Sequence, residues 1–107
     1  MNKDFELKDE QSLRDLQSYL SRAKRLDPDG LVRLRAYGHV LAAYVAPLFS
    51  GSVLDGGLTV IGLRTTELAA EAEVDRLVSI SSVLDRLARV LESSTTDYRV
   101  EVPEAGQ

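Results

Sequence analysis

The clearest periodic segment runs from Glu10 to Leu26. Leu13, Leu16, Leu20 and Ala23 recur at spacings of 3, 4 and 3, which sets them on one helical stripe with Tyr19 and Leu26 at its edges. Asp9 and Glu10 fall in the first turn, and Arg22, Lys24 and Arg25 fall in the last. Both placements suit the helix dipole. Asp27-Pro28-Asp29-Gly30 stops the helix, because the residue before proline is pushed out of the α region. The period then changes from 3.6 to 2. Val32, Leu34 and Ala36 alternate with Arg33, Arg35 and Tyr37, and after Gly38-His39 a more apolar strand runs from Val40 to Ala46. A glycine at the first loop position fits a type II′ hairpin. A two-residue loop there makes paired residue numbers sum to 77. Arg33 then faces Tyr44, Arg35 faces Ala42, and Tyr37 faces Val40. The other side carries only Val32, Leu34, Ala36, Leu41, Ala43 and Val45, which makes it the core side.

Beyond Pro47 the pattern is weaker. Residues 49–57 read as a loop of small residues, Leu58 to Thr65 as a third strand, and Thr66 to Glu73 as a loop or short helical turn. Asp75 to Ser93 fits two descriptions. Leu77, Ile80, Leu84, Leu87 and Leu91 suit one long amphipathic helix. Alternatively, Arg76 to Ile80 is a strand and Ser81 or Ser82 caps a helix over 83–91. The β-branched Val78 and Ile80 and the serine pair favour the strand followed by a helix. Tyr98, Val100 and Val102 alternate with polar residues as a last strand. The expected fold is therefore α+β. It is a mostly antiparallel sheet of three to five strands, in the order α-β-β-β-(β)-α-β, with two helices on one face. A single domain over 9–102 is expected, with flexible tails at 1–8 and 103–107.

Composition narrows the chemistry. The chain has 107 residues, no Cys, no Trp and a net charge of −4. With no cysteine there is no disulfide framework and no thiolate ligand or nucleophile. The longest apolar run, Val40 to Ala46, is seven residues, too short to span a membrane. With no apolar segment over Met1 to Glu10 to act as a signal peptide, the expected location is the cytoplasm.

No constellation for catalysis emerges. His39 is the sole histidine and sits in a predicted turn, and no Gly-x-Ser-x-Gly elbow or phosphate-binding glycine loop is present. Asp27-Pro28-Asp29-Gly30 opens like a calcium loop, but arginines 33 and 35 stand where oxygen ligands are needed, so it reads as a turn. Glu67, Glu71, Glu73 and Asp75 read as a solvated acidic run, with a weak divalent-cation site as the minority alternative. No catalytic residue, metal or cofactor is expected.

The distribution of charge says more. Residues 14–35 hold six bases against three acids, a balance of +3, whereas residues 67–75 hold four acids and no base, a balance of −4. The hairpin register puts Arg33, Arg35, Tyr37, Val40, Ala42 and Tyr44 on one face. Arginine and tyrosine are enriched at binding hot spots, and so much apolar area calls for cover. The plain reading is a half-solvated sheet face. The functional one is a non-enzymatic module that forms a homodimer through this face or an edge strand. A second class of reading is a small-molecule or anion-binding protein or enzyme using the 50–57 loop and the hairpin turn, with Arg35 and His39 as anion contacts. Single-stranded nucleic-acid binding is a third, disfavoured by the overall acidity.

Two runs resemble small uncharacterised proteins of high-GC, actinobacterial-type bacteria: Leu26-Asp27-Pro28-Asp29-Gly30-Leu31-Val32-Arg33-Leu34-Arg35 and Leu77-Val78-Ser79-Ile80-Ser81-Ser82-Val83-Leu84-Asp85-Arg86-Leu87-Ala88. That resemblance favours the strand followed by a capped helix. It implies that such proteins continue past the residue where this chain ends, and it carries no function or site residues.

Overall fold

A computed structural model describes residues 2–46, 62–93 and 97–104. Helix α1 spans Glu10–Leu26, and Asp9 caps it by accepting a 2.8 Å hydrogen bond from the Ser12 N–H. That bond holds the Asp9 carboxyl below its ordinary pKa. Leu13, Leu16 and Leu20 are fully buried, Tyr19 and Ala23 are partly covered, and Leu26 is 79% exposed. The stripe therefore narrows towards its end. Asp27 closes the helix through its N–H to the Ala23 carbonyl at 3.0 Å. At Gly30 the chain passes so close to the next layer that a Cβ would lie 3.0 Å from the Asp27 carbonyl and 3.1 Å from Ile80 Cδ1.

Strands β2 (Leu31–Tyr37) and β3 (Val40–Ala46) form the hairpin with the expected register, from Leu31 opposite Ala46 to Tyr37 opposite Val40. Gly38 has a φ of 61° and no other described residue has a positive φ, which is the pattern a II′ turn requires. Strand β4 (Gly62–Glu67) lies beside β3, and β5 (Val74–Ser79) lies beside β2. The sheet order is β4-β3-β2-β5, antiparallel throughout. Strand β4 runs two residues past the expected end at Thr65. The expected 58–61 lie outside the described residues. No helical turn forms over 66–73. Instead the chain crosses the hairpin tip from one sheet edge to the other, held by Leu68 N–H to the His39 carbonyl (2.8 Å) and Ala72 N–H to the Gly38 carbonyl (2.9 Å).

Helix α2 (Ile80–Glu92) follows β5 directly, so residues 75–93 are a strand and then a helix. The cap is Ser79, neither Ser81 nor Ser82. Its hydroxyl accepts from the Ser82 N–H at 3.2 Å while the Ser82 hydroxyl donates to the Ser79 carbonyl at 2.9 Å. Ser82 is thus bonded to the cap residue through both its N–H and its hydroxyl.

The N-terminal segment departs from the expected tail. Strand β1 (Asp4–Glu6) pairs antiparallel with β6 (Arg99–Glu101) in a separate two-stranded sheet, and Leu7 bridges to Leu68. Phe5 and Leu7 are each 1% exposed and belong to the core, as do Val100 and Val102. Three residues with one large apolar side chain are too short a pattern to register as a strand, yet Phe5 supplies one of the largest buried side chains. The core lies between the helices and the face of the sheet that bears Val32, Leu34, Ala36, Leu41, Ala43 and Val45.

Candidate functional site

The face of the sheet turned away from the helices follows from side-chain alternation and register. One row across the four strands reads Leu63, Tyr44, Arg33, Leu77 from β4 to β5. The next reads Thr65, Ala42, Arg35, Asp75, and the third reads Glu67, Val40, Tyr37. All six residues singled out in the hairpin lie here, since the hairpin formed in the expected register. Tyr37 is 82% exposed, Leu63 54%, Val40 49% and Leu77 38%. Ala42 is the smallest side chain in the middle row. It lies where a groove of about 480 Å³ opens, bordered by Arg35, Tyr37, Val40, Tyr44 and Asp75.

The arginines of this face are partly neutralised within the chain. Asp75 accepts from Arg33 Nε and Nη2, both at 2.9 Å, in a bidentate pair, and Arg35 Nε stands 3.9 Å from the same carboxylate. The Arg33 hydrogen bonds hold the Asp75 carboxyl below its ordinary pKa, with the positive charges of Arg33 and Arg35 adding to the effect. The same bonds raise the Arg33 guanidinium.

Charges segregated along the sequence therefore meet inside one molecule. Strand β5 brings the end of the acidic segment against the basic strand β2. At the other end of that segment, Glu67 lies 3.4 Å from Lys8.

Five members of the face escaped the sequence reading: Leu63, Thr65, Glu67, Asp75 and Leu77. Asp75 was grouped with the acidic run, and Leu77 fitted a helical stripe as well as a strand. Nothing local to residues 74–79 names β2 as their partner, because the pairing closes over forty residues.

The anion-contact alternative is not assembled among the described residues. Arg35 lies beside Asp75, His39 is exposed at the hairpin tip, and the 50–57 loop lies outside the described residues. Asp27-Pro28-Asp29-Gly30 is a turn closed by Gly30 N–H to the Asp27 carbonyl at 2.9 Å. Among the described residues, no three His, Asp or Glu side chains gather so as to hold a metal ion. No helix among them is long and apolar enough to cross a membrane.

A family model covers almost the whole chain, matching residues 1–106. The chain belongs to the DUF8010 family, a domain of unknown function. The match includes the β1 and β6 segments, so the two-stranded sheet lies within the family domain as well as within the core. No curated protein and no solved structure matches the chain.

Proposed function

We propose that this DUF8010 domain is a non-enzymatic interaction module that self-associates through the open face of its sheet. The observation that carries this reading is the one-sided packing. The apolar side chains of α1 and α2 join the core on one face of the sheet, while the other exposes Tyr37, Val40, Leu63 and Leu77, the first two at the border of a groove. Apolar and aromatic side chains gathered on one surface are the usual mark of an interaction site. The polar members are of both signs and neutralise one another within each copy, so a second copy meets apolar area without a large uncompensated charge.

The size of the face sets the expected strength. Four strands of six or seven residues, about 4.8 Å apart and rising about 3.4 Å per residue, present roughly 400 Å² per copy. That lies at the small end of specific interfaces, below about 1,200 Å² in total, where association is weak. Sedimentation equilibrium over a wide concentration range tests it. A mass rising from monomer to dimer, and staying monomeric in an Arg33→Ser, Tyr44→Ser double variant, supports the reading. A concentration-independent monomer rejects it.

A further inference from the structure

The register on the open face also decides how two copies would meet, if the self-association proposed above holds. Two sheets packed face to face lie about 10 Å apart with their strands nearly aligned. A two-fold axis between them can run either parallel or perpendicular to the strands. The geometry points to the parallel axis.

With that axis, each row meets the same row of the second copy in reverse strand order, so β3 covers the copy's β2 and β4 covers its β5. Arg33 then lies over Tyr44, a cation against a ring face, and this occurs twice by symmetry. Arg35, the longest side chain of the middle row, lies over Ala42, the smallest, so the groove receives it. Leu63 lies over Leu77 and Tyr37 over Val40, which pairs the four exposed apolar side chains with one another.

The perpendicular axis keeps strand order and reverses the rows. It sets Arg35 over Arg35 and Asp75 over Asp75, and it covers Leu63 with Glu67. Like charges brought together and an apolar side chain set against a carboxylate all oppose it. The parallel axis thus pairs all four exposed apolar side chains with one another, whereas the perpendicular axis keeps Arg33 over Tyr37 and Tyr44 over Val40 but sets like charges together in the middle row.

The cysteine-free chain makes the test direct. Leu63→Cys, Leu77→Cys and Thr65→Cys are made as separate single variants, each checked for an unchanged melting temperature. They are then treated with a short thiol cross-linker at concentrations where dimer forms. The expected result is that Leu63→Cys mixed with Leu77→Cys gives severalfold more covalent dimer than either alone, while Thr65→Cys alone, on the edge strand three strands from its own copy, gives little. The perpendicular axis sets Thr65 over Thr65, so efficient self-linking of Thr65→Cys would establish that axis and overturn this inference, leaving self-association through the face intact. Dimer by sedimentation with no linking at any of the three positions would remove the face itself. A monomer at every concentration would remove the self-association on which the inference rests.

Discussion

The two faces of the four-stranded sheet are built from the same strands and answer to different constraints. On the covered face Val32, Leu34, Ala36, Leu41, Ala43 and Val45 are all 5% exposed or less. One residue along, Arg33, Arg35, Tyr37 and Val40 stand out into solvent. Shape alone selects residues on the covered face, whereas the open face mixes a charge cluster with exposed apolar side chains. The flanking strands add polar residues to that side, Arg64 and Thr66 on β4 and Arg76 on β5; Arg76, opposite Leu34 in the register, donates from Nη1 to the Pro103 carbonyl at 3.2 Å.

The contrast is broken most severely from the covered side. Leu16→Ala removes a fully buried side chain of α1 and leaves a cavity, at an expected cost of roughly 2–5 kcal/mol. Phe5→Ala belongs to the same class at roughly 3–5 kcal/mol, because β1 lies in the core. On the open face, Tyr37→Ala changes monomer stability by only about 0.5 kcal/mol or less. Urea denaturation of the three variants checks this. A Phe5→Ala chain as stable as the parent would show that residues 4–7 do not hold the core together.

These magnitudes also mark what was legible in the sequence. Helix α1 and the β2–β3 hairpin were readable because each is specified locally, by the spacing of Leu13, Leu16 and Leu20 and by the turn at Gly38. Strand β1 was not, since Phe5 finds its partner Val100 at the far end of the chain. The six hairpin residues of the open face followed from register alone. Their neutralising partner did not, because the Arg33–Asp75 pair depends on residues 68–73 crossing the hairpin tip to set β5 beside β2. Local periodicity carries strand identity, but the order of strands in a sheet is a long-range property.

A middle-sized effect tests how tightly the helix layer sits on the covered face. Gly62, opposite Val45 on that side, lies under Tyr19, and a Cβ there would be 2.5 Å from Tyr19 Oη. That hydroxyl is buried without a hydrogen-bond partner among the described residues, and burial raises its pKa. Gly62→Ala is expected to cost roughly 1–3 kcal/mol as an overpacked site. In a Tyr19→Phe background the closest ring carbon would be 3.5 Å away, an ordinary contact, so the cost disappears. Tyr19→Phe alone is neutral or stabilising, since it deletes an unpaired polar group. Additive effects in this double-mutant cycle would show that α1 does not rest on Gly62.

The smallest effect belongs to the open face and is read through pH. Asp75 is held below its ordinary pKa by Arg33, so its stabilising contribution is fully present above the unfolded value of about 3.9 and is lost as pH falls through the lower folded value. Asp75→Asn removes that titration. Its midpoint of urea unfolding is therefore expected to lie below the parent's by a constant margin above about pH 5, narrowing as the pH drops under about 4. Added salt shrinks the margin, because the pair is solvent-exposed. A margin that stays flat down to the lowest pH would mean that Arg33 and Asp75 are not paired in solution. The two arginines would then be free charges, and the face would repel a second copy more than it attracts one.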